Sequence, residues 1–564
     1  MANQMKNAPL VAQILYNRGI DDPDQGRAFL APKLTELYDP LELPGVEIAA
    51  DRLAAAAQSG EKIVIYGDYD VDGMTGTAIL HQAITLVGGN VSFYVPHRID
   101  EGYGINSDSI HQLIADGAKL IVTVDCGVSA GDVLADATAA GCDVIVTDHH
   151  IIHGAPPDVT AVVHPTLPPA EGAEPYGNPY LCGAGVAFKL AWAMLRKICG
   201  TARVSDEMRN FLLDATCLAA LGTITDVVPL VGENRVLATF GLKGLPAAAH
   251  IGIRALLESA NLMGETLDAY HVGFVIGPRL NAAGRMGHAQ LAIELLTTNS
   301  PERAREIADY LIKQNTERQN VERKITRQAR EMVQASNLDD PDNYAIVLAN
   351  EGWHAGVIGI VASRMVDSFH RPAIIITIDG DVAQGSARSI DGFHMSDALT
   401  SCAGHLISYG GHAMAAGLKV ATDKLDDFKR AFAQYARENL TESQLTPTLR
   451  IDAETTIGAL SQNVVDQLER LAPFGAKNPR PIVALQNCTL LGAPKRMGRN
   501  GDTIGMILQQ NGGATMRAVG FNMGDLADAL AGVRNVNVAA QPVLNHFNGR
   551  TNVELHISDV TWDR

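Results

Sequence analysis

The most regular signal along the chain is a set of short, wholly apolar runs separated by stretches of helical character. Ile63-Val64-Ile65-Tyr66, Leu120-Ile121-Val122-Thr123-Val124 and Val144-Ile145-Val146-Thr147 have strand length and no alternation, the pattern of strands buried on both faces. Residues 75–87, 107–118 and 129–140 between and around them read as helices. Alternation of strand and helix predicts a parallel sheet.

Acidic and imidazole residues close each run. The first opens into Gly67-Asp68-Tyr69-Asp70-Val71-Asp72-Gly73, the second stops at Asp125-Cys126-Gly127, and the third stops at Asp148-His149-His150. Ligands of open parallel sheets bind beyond the carboxyl ends of the strands, where loops and helix N-termini converge. Asp70, Asp72, Asp125 and His149 are therefore expected to meet at one edge. Carboxylates at alternate positions repel one another, and a hard divalent cation such as Mg²⁺ or Mn²⁺ relieves that repulsion. Taken alone, the first heptad equally describes a calcium-type loop or an acidic turn, and each strand-end residue an ordinary turn. Recurrence at successive strand ends favours a site. Asp226, inside the apolar stretch Leu221-Gly222-Thr223-Ile224-Thr225-Asp226-Val227-Val228-Pro229-Leu230, joins the set because an isolated buried carboxylate is costly unless paired or metal-bound.

Further along, the pattern changes twice. From 300 to 336 helix formers dominate, with Ser300 as N-cap and Pro301 at the first helical position. Only Val321 is strongly apolar between Ile312 and Ile325. So polar a stretch predicts a long connector between two lobes, about 50 Å at 1.5 Å per residue. A second lobe starts at the strand Tyr344-Ala345-Ile346-Val347-Leu348 and carries glycine-rich motifs, among them Gly385-Ser386-Ala387-Arg388 and Gly410-Gly411-His412. Glycines let a backbone approach a phosphate, and Ser386 and Arg388 offer it a hydroxyl and a planar fork. By composition they are equally turn residues and a surface arginine. Beyond residue 450, alternating runs such as 517–521, 536–540 and 552–557, the last preceded by Asn548-Gly549, predict a small antiparallel barrel. Its aromatics are few, Phe474, Phe521, Phe547 and Trp562, each equally suited to the core or to an exposed stacking face.

Composition sets the outer limits. The 564 residues suffice for three or four domains. No leader pattern and no run of eighteen apolar residues is present, so neither export nor membrane spanning is expected. The seven cysteines show no Cys-x-x-Cys spacing and read as thiols of a reducing cytoplasm. The net charge of −18 resides in residues 1–450, because residues 451–564 hold ten basic and ten acidic side chains. An anionic partner must then be met by local clusters, with Lys495-Arg496-Met497-Gly498-Arg499, equally readable as a solvated loop, and Lys477 and Arg480 as candidates.

These motifs together resemble the DHH phosphoesterase superfamily. The resemblance continues through Gly277-Pro278-Arg279-Leu280-Asn281-Ala282-Ala283-Gly284-Arg285-Met286, Gly352-Trp353-His354-Ala355-Gly356-Val357-Ile358-Gly359 and Gly410-Gly411-His412-Ala413-Met414-Ala415-Ala416-Gly417. It runs in order from about residue 45 to the C-terminus. Within the superfamily the chain is most similar to the exonucleases that degrade single-stranded DNA from its 5′ end. That resemblance implies an α/β, two-lobed fold, a parallel-sheet DHH domain and a DHH-associated α/β domain joined by a long helix, with a C-terminal OB-fold barrel. The implied boundaries are an N-terminal extension at 1–45, catalytic domain 46–299, connecting helix 300–337, substrate-binding domain 338–445 and nucleic-acid-binding domain 446–564.

The resemblance also implies roles. Asp70, Asp72, Asp125, His149 and Asp226 would hold two Mn²⁺ or Mg²⁺ ions, Asp125 bridging them. Asp68 and His150 would orient water or touch the scissile phosphate. Arg98, Arg279, Asn281, Ser386, Arg388 and His412 would hold substrate, and His354 is a further group on that side. Single-stranded DNA is the implied substrate, a single-strand-binding protein and a helicase the implied partners, no membrane is involved, and the protein is a cytoplasmic monomer serving recombination and repair. Cys126, Lys477, Arg480 and the Gly287-His288 pair depart from the family pattern, which has glycine more often at 477. Two alternatives share the metal set: an oligoribonuclease or phosphatase on short nucleotides, disfavoured by the extra C-terminal segment, and a non-catalytic replication scaffold, disfavoured by the complete set of carboxylates.

Overall fold

The computed structural model describes residues 1–97, 104–169, 172, 174–285 and 288–562. Arg98, with Gly102-Tyr103, and the Met286-Gly287 step lie outside the described residues. The chain divides into two compact units, one of residues 1–96, 104–277 and 450–564, the other of 97–103 and 278–449.

In the first unit, β1 (Ile63–Gly67), β2 (Val91–Tyr94), β3 (Leu120–Val124), β4 (Asp143–Thr147) and β5 (Ala161–Val163) form an all-parallel sheet of order β2-β1-β3-β4-β5. Helices Ser107–Ala115 and Gly131–Ala139 cover the face bearing Val64, Tyr66, Ile121, Val144 and Val146. The opposite face lies against Val71–Leu86 and Gly183–Cys199. One expectation is corrected here: the helix after β1 starts at Val71, not near 75. The acidic heptad is thus a helix N-terminus rather than a free loop, because Asp70 caps it and Asp72 occupies its first turn.

Residues 450–562 build a barrel whose first strand is β11 (Ala453–Glu454), although its strands follow the second unit in sequence. Before them, the second unit holds β6 (Ile346–Glu351), β7 (Ala373–Asp379), β8 (Val382–Arg388), β9 (Ser408–Gly411) and β10 (Ala415–Ala421) in the order β6-β7-β8-β10-β9. Helices Met395–Ser401 and Leu425–Asn439 pack on one face of this sheet. The other face, with Ile346, Leu348 and Ile375, takes Ala355–Phe369 and Ile325, Ala329 and Val333 of the long helix. That helix spans Pro301–Ala335 with Ser300 capping Arg303. Its polar middle is not wholly solvated: Glu322, 9% exposed, pairs with Arg318 at 3.6 Å and Arg364 at 3.3 Å.

The barrel strands are β12 (Val483–Leu490), β13 (Lys495–Met497), β14 (Thr503–Gln509), β15 (Thr515–Gly520), β16 (Asn535–Phe547) and β17 (Arg550–Thr561). Pairings β12–β16–β17–β15–β14 return to β12, which closes five strands. The β15–β17 pairing is parallel, so the barrel is not antiparallel throughout; this closure is the OB topology. Asn548 and Gly549, at φ 49° and 72°, form the expected hairpin turn.

The barrel is joined to the first sheet's domain by buried polar contacts. Arg235, 2% exposed, donates to the carbonyls of Phe29 (2.7 Å), Arg470 (3.2 Å), Leu471 (2.9 Å) and Ala472 (2.7 Å). Arg18 pairs with Asp452 at 3.0 Å, and Val11, Ile14 and Leu15 share a core with Leu468 and Leu471. Two candidate basic groups are engaged by acids: Arg480 with Glu469 at 2.5 Å, lying 4.4 Å over Phe474, and Arg496 with Asp528 at 2.7 Å. Phe474 and Trp562 pack against cores, whereas Phe521 and Phe547 are 56% and 70% exposed. Among the described residues no single helix is long and apolar enough to cross a membrane.

Candidate active site

Strand register places the site. Gly67 pairs with Val124 and Val124 with Thr147. The ladder then runs one residue further, Asp68 N–H donating to Val124 (3.2 Å), Asp125 to Thr147 (2.9 Å) and Asp148 to Val163 (3.2 Å). The strand ends are level, so these aspartates leave the sheet side by side, 3%, 2% and 1% exposed.

Helix N-termini orient the next two carboxylates. Asp70 Oδ1 accepts from the N–H of Asp72 (2.9 Å) and Gly73 (3.2 Å). Asp72 reaches the start of Gly183–Cys199, Oδ2 accepting from Gly183 at 2.6 Å and Oδ1 from Ala184 at 2.9 Å. The partial positive charge of a helix start suits both. Close approach requires glycine twice: a Cβ on Gly183 would lie 2.6 Å from Asp125 Cβ, and one on Gly222 would lie 2.4 Å from Asp72 Oδ1. Sequence reasoning missed both residues, although small residues cluster at each position.

Asp148, given no role by the sequence, holds the histidine pair. Its oxygens accept from the N–H of Val128 (3.0 Å), His149 (2.7 Å) and His150 (3.1 Å) and meet His150 Nδ1 at 2.8 Å. Burial alone would raise its pKa, but the His150 hydrogen bond and charge, with the N–H donors, bring it down to about 2. Burial opposes charge on His150 too, and the same bond to Asp148 overcomes it.

His149 Nε2 faces three carboxylates, Asp125 Oδ1 at 3.1 Å, Asp226 Oδ2 at 3.5 Å and Asp72 Oδ2 at 3.7 Å. Neither His149 Nε2 nor Asp125 Oδ1 makes a hydrogen bond, although both are buried; the 3.1 Å approach lacks hydrogen-bond geometry. Burial keeps the imidazole below its ordinary pKa and therefore neutral. Burial and then mutual repulsion push Asp125 well up, raise Asp70, and lift Asp226 to about 9. Asp226 also caps the C-terminus of helix Asp206–Thr225, the negative end of its dipole. The cluster is short of positive charge. Oxygen donors with one neutral imidazole suit a hard divalent cation. Atoms within 4.8 Å of one another form the sets Asp68-Asp70-Asp125, Asp72-His149-Asp226 and Asp125-His149-His150. The structure thus brings together all seven residues expected at the sheet edge, and Asp68 lies among ligand-like atoms.

The second unit carries a separate surface. Arg388 Nη1 donates to Ser386 Oγ (3.2 Å) and the Ala387 carbonyl (2.8 Å). Both side chains lie against Gly359, where a Cβ would sit 2.9 Å from Ser386 Oγ and 3.1 Å from Arg388 Nη2. Across the sheet Ser386 aligns with Gly417 and Gly410, which leave that lane bare. His412 occupies the β9–β10 turn, its N–H bonded to Ala415, which pairs with Arg388. His354 Nδ1 accepts from Gly356 N–H at 3.1 Å, capping a helix. Arg279 and Asn281 lie on Gly277–Arg285, about 200° apart around a helix, so they do not face the same way.

Fold and site define a DHH phosphoesterase with an appended OB domain. The chain matches the DHH family N-terminal domain over residues 62–220, the DHHA1 domain over 342–438 and the RecJ OB domain over 451–559. It belongs to the RecJ family. It is 38% identical to the single-stranded-DNA-specific exonuclease RecJ of Bacillus subtilis (strain 168), over 99% of this chain and 69% of that protein. Identity to the Haemophilus influenzae RecJ is 34%, covering 98% and 96%. The crystal structure of RecJ in complex with Mn²⁺ from Thermus thermophilus superimposes with TM-score 0.82 at 31% identity, covering 100% of this chain and 77% of that one.

Proposed function

We propose that the chain is a single-stranded-DNA-specific exonuclease, which hydrolyses its substrate from the 5′ end to nucleoside 5′-monophosphates in recombination and repair, with Mn²⁺ or Mg²⁺ as cofactor. The observation that carries this reading is the convergence of carboxylates and a neutral imidazole at level strand ends, with orphaned ligand atoms on Asp125 and His149. Asp70, Asp72, Asp125, His149 and Asp226 would hold two cations, Asp125 and His149 each recurring in two of the candidate ligand sets. Bound there, the cations supply Lewis acidity toward the scissile phosphate and acidity toward the attacking water. Asp68 completes one ligand set and orients that water. His150, kept protonated more readily by Asp148, donates to the phosphate. The fixed backbone bonds of Asp72 and Asp148 keep this array from rearranging during turnover.

Ser386 and Arg388 hold the terminal phosphate, with Arg98, Arg279, Asn281 and His412 as further substrate contacts, and the OB barrel follows the strand. A single-strand-binding protein and a helicase are the fitting partners of such an enzyme, working as a monomer in the cytoplasm. The test is hydrolysis of 5′-labelled and 3′-labelled strands, DNA beside RNA, with each metal. Metal-dependent release of labelled mononucleotide from 5′-labelled single-stranded DNA is expected; release from the 3′ end first would overturn the reading.

A further inference from the structure

Tyr270 and Phe274 are 63% and 70% exposed, and their rings stack with centroids 4.9 Å apart and planes 27° apart. Phe274 lies in a π-helical turn, His271–Ile276, and Tyr270 immediately precedes it; such turns are frequent at functional sites. The turn is held firmly: Asp268 accepts from His271 N–H at 3.0 Å and meets its Nδ1 at 2.6 Å, and the His271 ring stands edge-on to Tyr270. Val272 and Ile276 on its other side are buried. A Cβ on Gly277 would lie 2.5 Å from Thr225 Cγ2, so this segment touches the residue preceding the candidate ligand Asp226.

Two more exposed apolar side chains directly follow candidate site residues. Ile151, after His150, is 61% exposed, and Val227, after Asp226, is 68% exposed with φ 61°. A β-branched residue in the left-handed region is strained, and such strain gathers at functional sites. The surroundings of the carboxylate cluster therefore offer acids, which repel a phosphate backbone, and apolar faces, which attract flat uncharged rings.

We propose that the Tyr270–Phe274 pair is a stacking platform for an unpaired nucleobase of the strand entering the metal site, and that it contributes to preference for single strands because a paired base has no free face to offer. Seven residues separate Tyr270 from Gly277, about 10 Å if helical throughout, so the rings stand within a few nucleotides' reach of the residue beside Asp226. This inference rests on the exonuclease reading and specifies its substrate contact.

The experiment uses the intact chain with Mn²⁺ and a 5′-phosphorylated single-stranded oligonucleotide, beside a series in which one nucleotide at a time is abasic. Phe274→Ala, and Phe274→Ala with Tyr270→Ala, are expected to raise KM about 5- to 100-fold with little change in kcat, and Phe274→Trp to restore KM. One abasic position among the first several nucleotides should raise the wild-type KM comparably yet cost the Ala variants nothing further. Unchanged KM, a loss confined to kcat, or an abasic penalty that persists in the variants would overturn the platform. A change in oligomeric state by light scattering with unchanged KM would assign the rings to a protein contact instead. Wild-type protein without metal-dependent 5′ cleavage would refute the exonuclease reading itself, before any variant is compared.

Discussion

Arg388→Ala tests the end polarity that a metal centre alone cannot set. The guanidinium is oriented by its Nη1 bonds to Ser386 Oγ at 3.2 Å and the Ala387 carbonyl at 2.8 Å. A fixed, planar cation distinguishes a dianionic terminal phosphate from an internal monoanionic one. Loss of one such charge-assisted contact costs about 1.5–3 kcal/mol, or roughly ten- to a hundredfold in kcat/KM. The assay compares 5′-phosphorylated with 5′-hydroxyl strands for each variant. Arg388→Ala should depress the first severely and the second much less, so the ratio reports anchoring and not misfolding. Gly359→Ala supplies a graded control, because its Cβ would lie 2.9 Å from Ser386 Oγ and 3.1 Å from Arg388 Nη2. Both are ends of side chains that can yield, so the ratio should fall to a value between wild type and Arg388→Ala. Equal loss on both substrates for Arg388→Ala would mean the residue supports the fold, and the terminal-phosphate pocket would lie elsewhere.

Asp125→Ala should abolish hydrolysis in saturating Mn²⁺ while sparing strand binding measured by anisotropy; near-normal turnover would remove its bridging role. Arg235→Met strips the pairing from four carbonyls and should destabilise the protein by about 3 kcal/mol or more in urea titrations, with proteolysis appearing between 450 and 480; an unchanged midpoint would refute the joint. Deleting residues 450 onward would do the same damage, so that truncation cannot isolate barrel function. Asp226, pushed up to about 9 chiefly by burial, contributes stability to the metal-free protein that is complete below the ordinary carboxylate value of 3.8 and lost as pH rises through about 9. Calorimetry should therefore show the metal-free Tm falling across that window and the stabilisation by Mn²⁺ growing; a shift independent of pH would count against the cluster as the metal site.

The sequence by itself determined the strands and where they end. Continuous apolar runs are a local property, and an acidic or imidazole residue closing each run is visible without coordinates, so Asp70, Asp72, Asp125 and His149 could be placed at one edge. Ser300 and Pro301 marked the long helix, and Asn548-Gly549 the hairpin, because caps and turns are short-range chemistry. Tertiary structure decided which polar groups were available. Asp148 resembles its neighbours in sequence but is occupied by three N–H donors and His150, whereas Asp226, remote along the chain, stands beside His149. Arg480 and Arg496 read as cationic patches until Glu469 and Asp528 are seen against them. Lys477, where the family pattern carries glycine, takes that backbone with φ 57°. Nothing in the sequence singles out Arg235, yet it joins the barrel to the domain of the first sheet through carbonyls more than 230 positions away. Periodicity reports only what each segment turns toward a core; pairing between charges is set by which segments meet, and that is decided when the chain closes.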